Sequence, residues 1–216
     1  FATIDPTEIY NYTQYPLSKT PDVFFIFIES YGSVLYKRPH FTPPYLEMTE
    51  ALEKSLADDG WSAVSTISEA PTWGGGSWMS YTSVLFGVLV DQQSEYDALK
   101  KKYSELEYPN IGRYFSSQGY DYVWVVPIDR QLPKNREEIE HRFYGANHWI
   151  TFDTLHYDGP LFGWGPSVPD QFTFGFIQEF VLQQEKPTFL VYLTQNSHFP
   201  WTPLPPVMDN WRELEH

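Results

Sequence analysis

At 216 residues, 42% hydrophobic and 19% aromatic, the chain carries too much large apolar surface to be a disordered segment, and its length suits one domain with a buried core. Twenty-eight acidic against fourteen basic residues give a formal net charge of −14, which argues against nucleic acid as a ligand and disfavours an anionic membrane surface, since both are held mainly by Lys and Arg. The absence of cysteine removes disulfides, thiolate metal sites and a Cys nucleophile together.

Residues 1–21, with Pro6, Pro16 and Pro21 among scattered tyrosines, read as an extended lead-in. The opening Phe1-Ala-Thr is expected of a processed or excised piece of a longer protein. The run Val23–Ile28 predicts a strand buried on both faces, as in a parallel sheet, and is far shorter than the roughly 20 residues that span a bilayer. Apolar residues at helical spacing predict a helix over 44–60, closed by Gly60. Alternation over Trp61–Ile67 predicts a second strand, followed by the loop Thr72-Trp-Gly-Gly-Gly76 and a helix from Ser77 to Phe86. A short helix over 110–118, a strand over 120–126, a helix over 170–184 and a strand over 188–193 follow, with an irregular aromatic stretch over 143–165. Strands alternating with helices predict an α/β fold, a mostly parallel central sheet flanked by helices.

In such sheets ligands bind beyond the carboxyl ends of the strands, and three places of this kind stand out. Glu29 follows six consecutive apolar residues, where a carboxylate needs a cation or hydrogen-bond donors; a metal ligand and a loop-tying acid are both open readings. Ser77 stands where a glycine loop enters a helix, a position whose backbone N–H groups and dipole suit a phosphate or sulfate; a nucleophile and an ordinary N-cap are both consistent with it. His198 follows the last strand and can bind a metal or a phosphoryl oxygen.

The stretch Val23–Gly32, ending Glu-Ser-Tyr-Gly, resembles the first-strand motif of the sulfatase and alkaline-phosphatase superfamily, in its lipoteichoic acid synthase and phosphoglycerol transferase branch. Pro71–Gly87 is similar to that branch's nucleophile loop and helix, with Ser77 ten residues before the closing Gly87, and Thr194–Trp201 is similar to its Asn-Ser-His-x-Pro segment. The resemblance implies an alkaline-phosphatase-like sheet, incomplete at the C-terminus, with residues 22–216 the N-terminal portion of a sulfatase-like catalytic domain. It makes Glu29 and Ser77 ligands of a divalent cation (Mn, Mg or Zn), Ser77 the nucleophile with Thr72 as fallback, and His198 a contact of the substrate phosphate. Arg142 is a candidate second phosphate contact, since guanidinium matches phosphate oxygens bidentately, and Trp78 and Trp164 are candidates for stacking on the substrate.

The implied reaction is metal-dependent phosphoryl transfer or phosphodiester hydrolysis on a phosphorylated lipid or glycan of the cell envelope, through a covalent serine intermediate. The implied location is outside the cytoplasm, with any membrane tether in segments absent from this chain. Ser77-Trp-Met-Ser-Tyr81 lacks the Pro and Arg of the formylglycine context, which disfavours sulfate-ester hydrolysis by that route. The superfamily's late Asp-His metal pair is missing, because no Asp-His dipeptide occurs in the sequence. A sulfuric-ester or phosphomonoester hydrolase and a non-catalytic glycan-binding module are the competing readings.

Overall fold

A computed structural model describes residues 15–103, 105–128, 134–163 and 165–215. The chain divides into two compact units, one formed by residues 1–29 and 71–216 and the other by residues 30–70.

The larger unit is built on four parallel strands, β1 (Val23–Phe27), β2 (Asp121–Val126), β3 (His148–Thr151) and β4 (Thr188–Leu193), in the spatial order β1-β4-β2-β3. The last strand in sequence is thus inserted between the first two. Strand β4 is buried along almost its whole length, which explains why Thr-Phe-Leu-Val-Tyr-Leu reads as a continuous apolar run rather than as an alternation.

One face of the sheet buries Tyr122, Trp124, Phe189 and Val191 together with Leu85 and Phe86. Phe189 stacks on Phe115 with ring centroids 4.3 Å apart, and Phe86 stacks on Phe143 at 4.6 Å. The other face packs Val123, Val125, Leu190 and Tyr192 against Phe172 and Ile177. Strand β1 joins the first of these layers through Val23, Phe25 and Phe27, whereas Phe24, Ile26 and Ile28 are exposed. The expectation of a strand buried on both faces is therefore corrected. Among the described strands β1 lies at the edge of the sheet, and the layer built on Phe172 and Ile177 covers the strands inward of it.

The helix predicted from Ser77 to Phe86 is found there, and Gly87 closes it in the left-handed region at φ 65°. In order of appearance the helices of the chain are α1 (Val34–Lys37), α2 (Thr42–Asp58), α3 (Ser77–Phe86), α4 (Gln93–Tyr103), α5 (Ile111–Ser117), α6 (Lys134–Tyr144), α7 (Phe152–Leu155) and α8 (Asp170–Leu182), followed by a 3-10 turn at Trp211–Glu215. Asn110 caps α5 by accepting from the Arg113 backbone N–H at 2.9 Å, and its amide donates to the Tyr144 carbonyl at 3.0 Å. The end of the lead-in is tied to the same helix, with the Tyr114 hydroxyl donating to the Tyr15 carbonyl at 2.6 Å. Helices α4 and α6 meet through Lys100 and Glu140, 2.8 Å apart, and through the Tyr96 and Phe143 rings.

The smaller unit holds α1 and α2, which meet where the Tyr36 and Tyr45 hydroxyls approach to 3.1 Å. The strand predicted at 61–67 does not form. Trp61, Val64 and Ile67 are exposed, and no strand pairs with this segment among the described residues. An alternating pattern supplies two faces but no hydrogen-bonding neighbour, and a single strand without one has no ladder.

Candidate active site at the carboxyl ends of β1 and β4

Because β1 and β4 are parallel neighbours in register from Val23 with Phe189 to Phe27 with Leu193, the residues that follow them emerge side by side. Thr194 joins the two exits. Its backbone N–H donates to the Phe27 carbonyl at 3.0 Å, and its hydroxyl oxygen accepts from the Glu29 N–H at 3.0 Å. The chain turns sharply straight after Glu29, where Ser30 takes φ 56°, a left-handed conformation uncommon for a residue with a side chain. From Thr194 the turn continues through a 2.7 Å contact between the Thr194 and Ser197 hydroxyls and a 3.1 Å bond from the His198 N–H to the Gln195 carbonyl. Glu29 and His198 are thus held on two connected turns at one edge of the sheet.

Helix α3, which opens with Ser77, packs against β1. Tyr81, one helical turn further on, packs its ring 5.6 Å from that of Phe27, two residues before Glu29. Residues four apart share a helix face, so Ser77 lies on the face of α3 that carries Tyr81. The preceding loop is left-handed throughout, with φ of 77°, 131° and 71° at Gly74, Gly75 and Gly76, conformations that only glycine adopts without strain. Gly76 is the N-cap, so the reading of Ser77 as a cap is corrected: Ser77 is the first helical residue, and its hydroxyl is not committed to capping. Thr72 has a structural task, since its hydroxyl meets that of Ser80 at 2.7 Å and donates to the Gly76 carbonyl at 3.3 Å, which ties the loop to the helix.

A residue that the sequence does not single out organises the His198 turn. Asp170, the first residue of α8, accepts from the backbone N–H groups of Gln195 at 2.8 Å and Asn196 at 2.9 Å and from the Tyr192 hydroxyl. Its own N–H donates to Asn196 Oδ1 at 2.6 Å. Burial raises the Asp170 pKa, and the three donated hydrogen bonds oppose that rise by favouring the ionised form. The signal in the sequence was Pro169-Asp170 at a helix start, which reads as an ordinary first-turn acid. Gly163 also lies close against the turn. A side chain at Gly163, φ 69°, would lie 2.8 Å from the Gln195 carbonyl oxygen. Gly163→Ala is therefore expected to cost about 1–3 kcal/mol, read as a lower urea midpoint with unchanged slope.

The remaining candidates are placed differently. The Trp78 indole donates to Gln93 Oε1 at 2.9 Å, which ties α3 towards α4 while leaving the ring partly exposed. Arg142 is in the last turn of α6, shortly before β3 begins, and its carbonyl accepts from the Arg113 guanidinium at 2.8 Å. The four described strands are parallel, so this is the amino end of the sheet. Arg142 thus stands towards the end of the sheet opposite to that of Glu29 and His198. Trp164 lies outside the described residues. Among the described residues no group of three or more His, Asp or Glu could hold a metal ion. Glu29 and Ser77 offer one carboxylate and one hydroxyl, fewer donors than the four to eight that zinc, magnesium or calcium takes.

Comparison with known proteins agrees with this architecture. No curated protein matches the chain. A protein in the alkaline phosphatase superfamily from Vibrio parahaemolyticus superposes with TM-score 0.58 at 16% identity, over 93% of this chain and 46% of its own. The lipoteichoic acid synthase LtaP from Listeria monocytogenes superposes with TM-score 0.62 at 15% identity, over 99% of this chain and 51% of its own. The C-terminal periplasmic domain of EcEptC from Escherichia coli gives 0.51 at 15%, over 92% and 54%. The chain spans about half the length of these structures, and at such identities the likeness shows a shared fold. The Sulfatase family model matches residues 21–210, which includes β1, the glycine loop with Ser77 and the His198 turn, and the chain belongs to the sulfatase family.

Proposed function

We propose that the chain is the part of a phosphoryl-transferring enzyme that carries the nucleophile and one side of the phosphate pocket, acting outside the cytoplasm on a phosphorylated lipid or glycan head group. The observation that carries this reading is that α3, which opens with Ser77 after the glycine loop, packs Tyr81 against Phe27 of β1, the strand that leads into the linked turns of Glu29 and His198. In this reading the phosphoryl group sits against the first N–H groups of α3, where the helix dipole and the loop favour negative charge. Ser77 Oγ forms a bond to phosphorus while the bond to the leaving alcohol breaks. The serine proton passes to solvent and the departing alkoxide takes one up from solvent to leave as the alcohol, and water or an acceptor hydroxyl then attacks phosphorus and releases the group from Ser77, whose oxygen is reprotonated. His198 hydrogen-bonds a phosphoryl oxygen.

A divalent cation would supply charge neutralisation at the phosphoryl group. Glu29 would contribute one carboxylate to holding it, and the described donors do not make a complete metal centre. The lipid or glycan class of the substrate is drawn from the resemblance to the lipoteichoic acid synthase branch and from the fold shared with LtaP. The placement outside the cytoplasm likewise draws on the periplasmic domain that shares the fold. No helix among the described residues is long and apolar enough to cross a membrane.

The test is hydrolysis of bis(p-nitrophenyl) phosphate by the protein with manganese and with chelator, combined with mass spectrometry of the peptide containing Ser77 after rapid acid quenching. Cation-dependent release of nitrophenolate with a phosphoryl adduct on Ser77 is the expected result. An adduct on Thr72, or turnover without any adduct in a quenched time course, would overturn the assignment of the nucleophile.

A further inference from the structure

We infer that Asp170 is a positioning residue of the site: it acts through the backbone of residues 195–196 to fix where His198 stands. The inference rests on the proposed role of His198 for its functional meaning, but its geometry is independent of that role.

The path is short. Asp170 Oδ1 accepts the Gln195 N–H at 2.8 Å and Oδ2 accepts the Asn196 N–H at 2.9 Å, so both carboxylate oxygens are used on two successive amides. The Gln195 carbonyl in turn accepts the His198 N–H at 3.1 Å. The Asp170 N–H holds the Asn196 side chain at 2.6 Å, and the Tyr192 hydroxyl donates to the same carboxylate from the last turn of buried strand before the site. On the far side the turn is pinned to β1 through Thr194 and closed by the Trp201 indole, which donates to the Ser197 carbonyl at 2.9 Å.

An acid placed at a helix start only to complement the dipole would turn towards its own helix and be replaceable by Ser or Asn. Here the carboxylate faces away from α8 into the turn. Two converging backbone donors require an acceptor at both oxygens, a demand that ionised Asp meets and Asn fails, because its amide NH2 would confront one of the N–H groups. Glu adds a methylene and cannot keep the same span.

The experiment is carbon–proton NMR of the histidine rings, with the His198 signal among the six histidines identified by its loss in His198→Ala. The unsubstituted protein is expected to give one narrow His198 signal, and Asp170→Asn a broadened, split or displaced one, with the signals of the other histidines in place. Tyr192→Phe, which removes one donor and leaves the carboxylate, should displace the same signal to a smaller extent, and it carries the comparison if Asp170→Asn does not fold. A His198 signal unchanged in position and width in a folded variant would overturn the inference. So would histidine signals that all move together, which is the mark of a general loss of structure.

Titration with inorganic phosphate then separates this inference from the functional reading. The His198 signal should move with phosphate, and Asp170→Asn should need about tenfold more, the equivalent of one weakened charge-assisted hydrogen bond. If phosphate leaves the His198 signal untouched in the unsubstituted protein, the proposed phosphate contact fails, while the positioning role is still decided by the phosphate-free spectra.

Discussion

Ser77→Ala is expected to lower phosphodiester turnover by at least about a thousandfold while leaving the fold intact, because removal of a nucleophile eliminates the covalent route instead of weakening one contact. The structure makes this a clean comparison. Gly76, rather than Ser77, occupies the N-cap, so alanine removes no capping hydrogen bond, and the change in stability should stay within about 0.5 kcal/mol. Thermal melting and turnover measured on the same samples check both halves of the expectation. Thr72→Val is the companion variant. It breaks the tie from the loop to Ser80 and should lower turnover by a smaller factor through disorder of the glycine loop, with the adduct on Ser77 still formed. Turnover that survives Ser77→Ala and disappears in Thr72→Val would reverse the two assignments.

Phe189→Ala is expected to produce the largest loss of stability, about 3–5 kcal/mol from a total that for a domain is about 5–15 kcal/mol. Phe189 is almost fully buried in the central strand β4, stacks on Phe115, and lies 5.4 Å from the Tyr122 ring, so its removal leaves a cavity between the sheet and α5 that rigid neighbours cannot fill. Urea unfolding followed by far-UV circular dichroism should show a much lower midpoint. Because the site turn begins directly after β4, phosphate binding should weaken in parallel as the population of folded chain declines.

Strands β1 and β4, and with them the candidate positions Glu29 and His198, are legible from the sequence for one physical reason. Val-Phe-Phe-Ile-Phe and Thr-Phe-Leu-Val-Tyr-Leu are contiguous apolar runs whose ends must carry the ligand-facing residues in a parallel sheet. Elements recognised by weaker patterns escaped. Strand β3 is only His-Trp-Ile-Thr, too short for periodicity to register, and it exists because β2 supplies its hydrogen-bonding partner. Helices α4 and α6 are largely charged, and are held by a few aromatic anchors such as Tyr96 and Phe143. The opposite error occurred at 61–67, where local alternation suggested a strand that has no neighbour to pair with. Asp170 was invisible because its partners are backbone amides 25 and 26 residues away, a relation that no side-chain motif encodes.

The edge position of β1 has a consequence for how the site would report its own occupancy. His198 follows the most enclosed strand of the sheet, whereas Glu29 follows a strand hydrogen-bonded on one side, with half of its side chains in solvent. Local opening free energies differ accordingly: the amides of β4 should exchange with deuterium only through near-global unfolding, and those of β1 through a much smaller fluctuation that detaches Glu29 from Thr194. Anything that binds Glu29 and the His198 turn together closes that fluctuation, so ligand binding should slow exchange in residues 23–29 selectively and leave the already protected β4 unchanged.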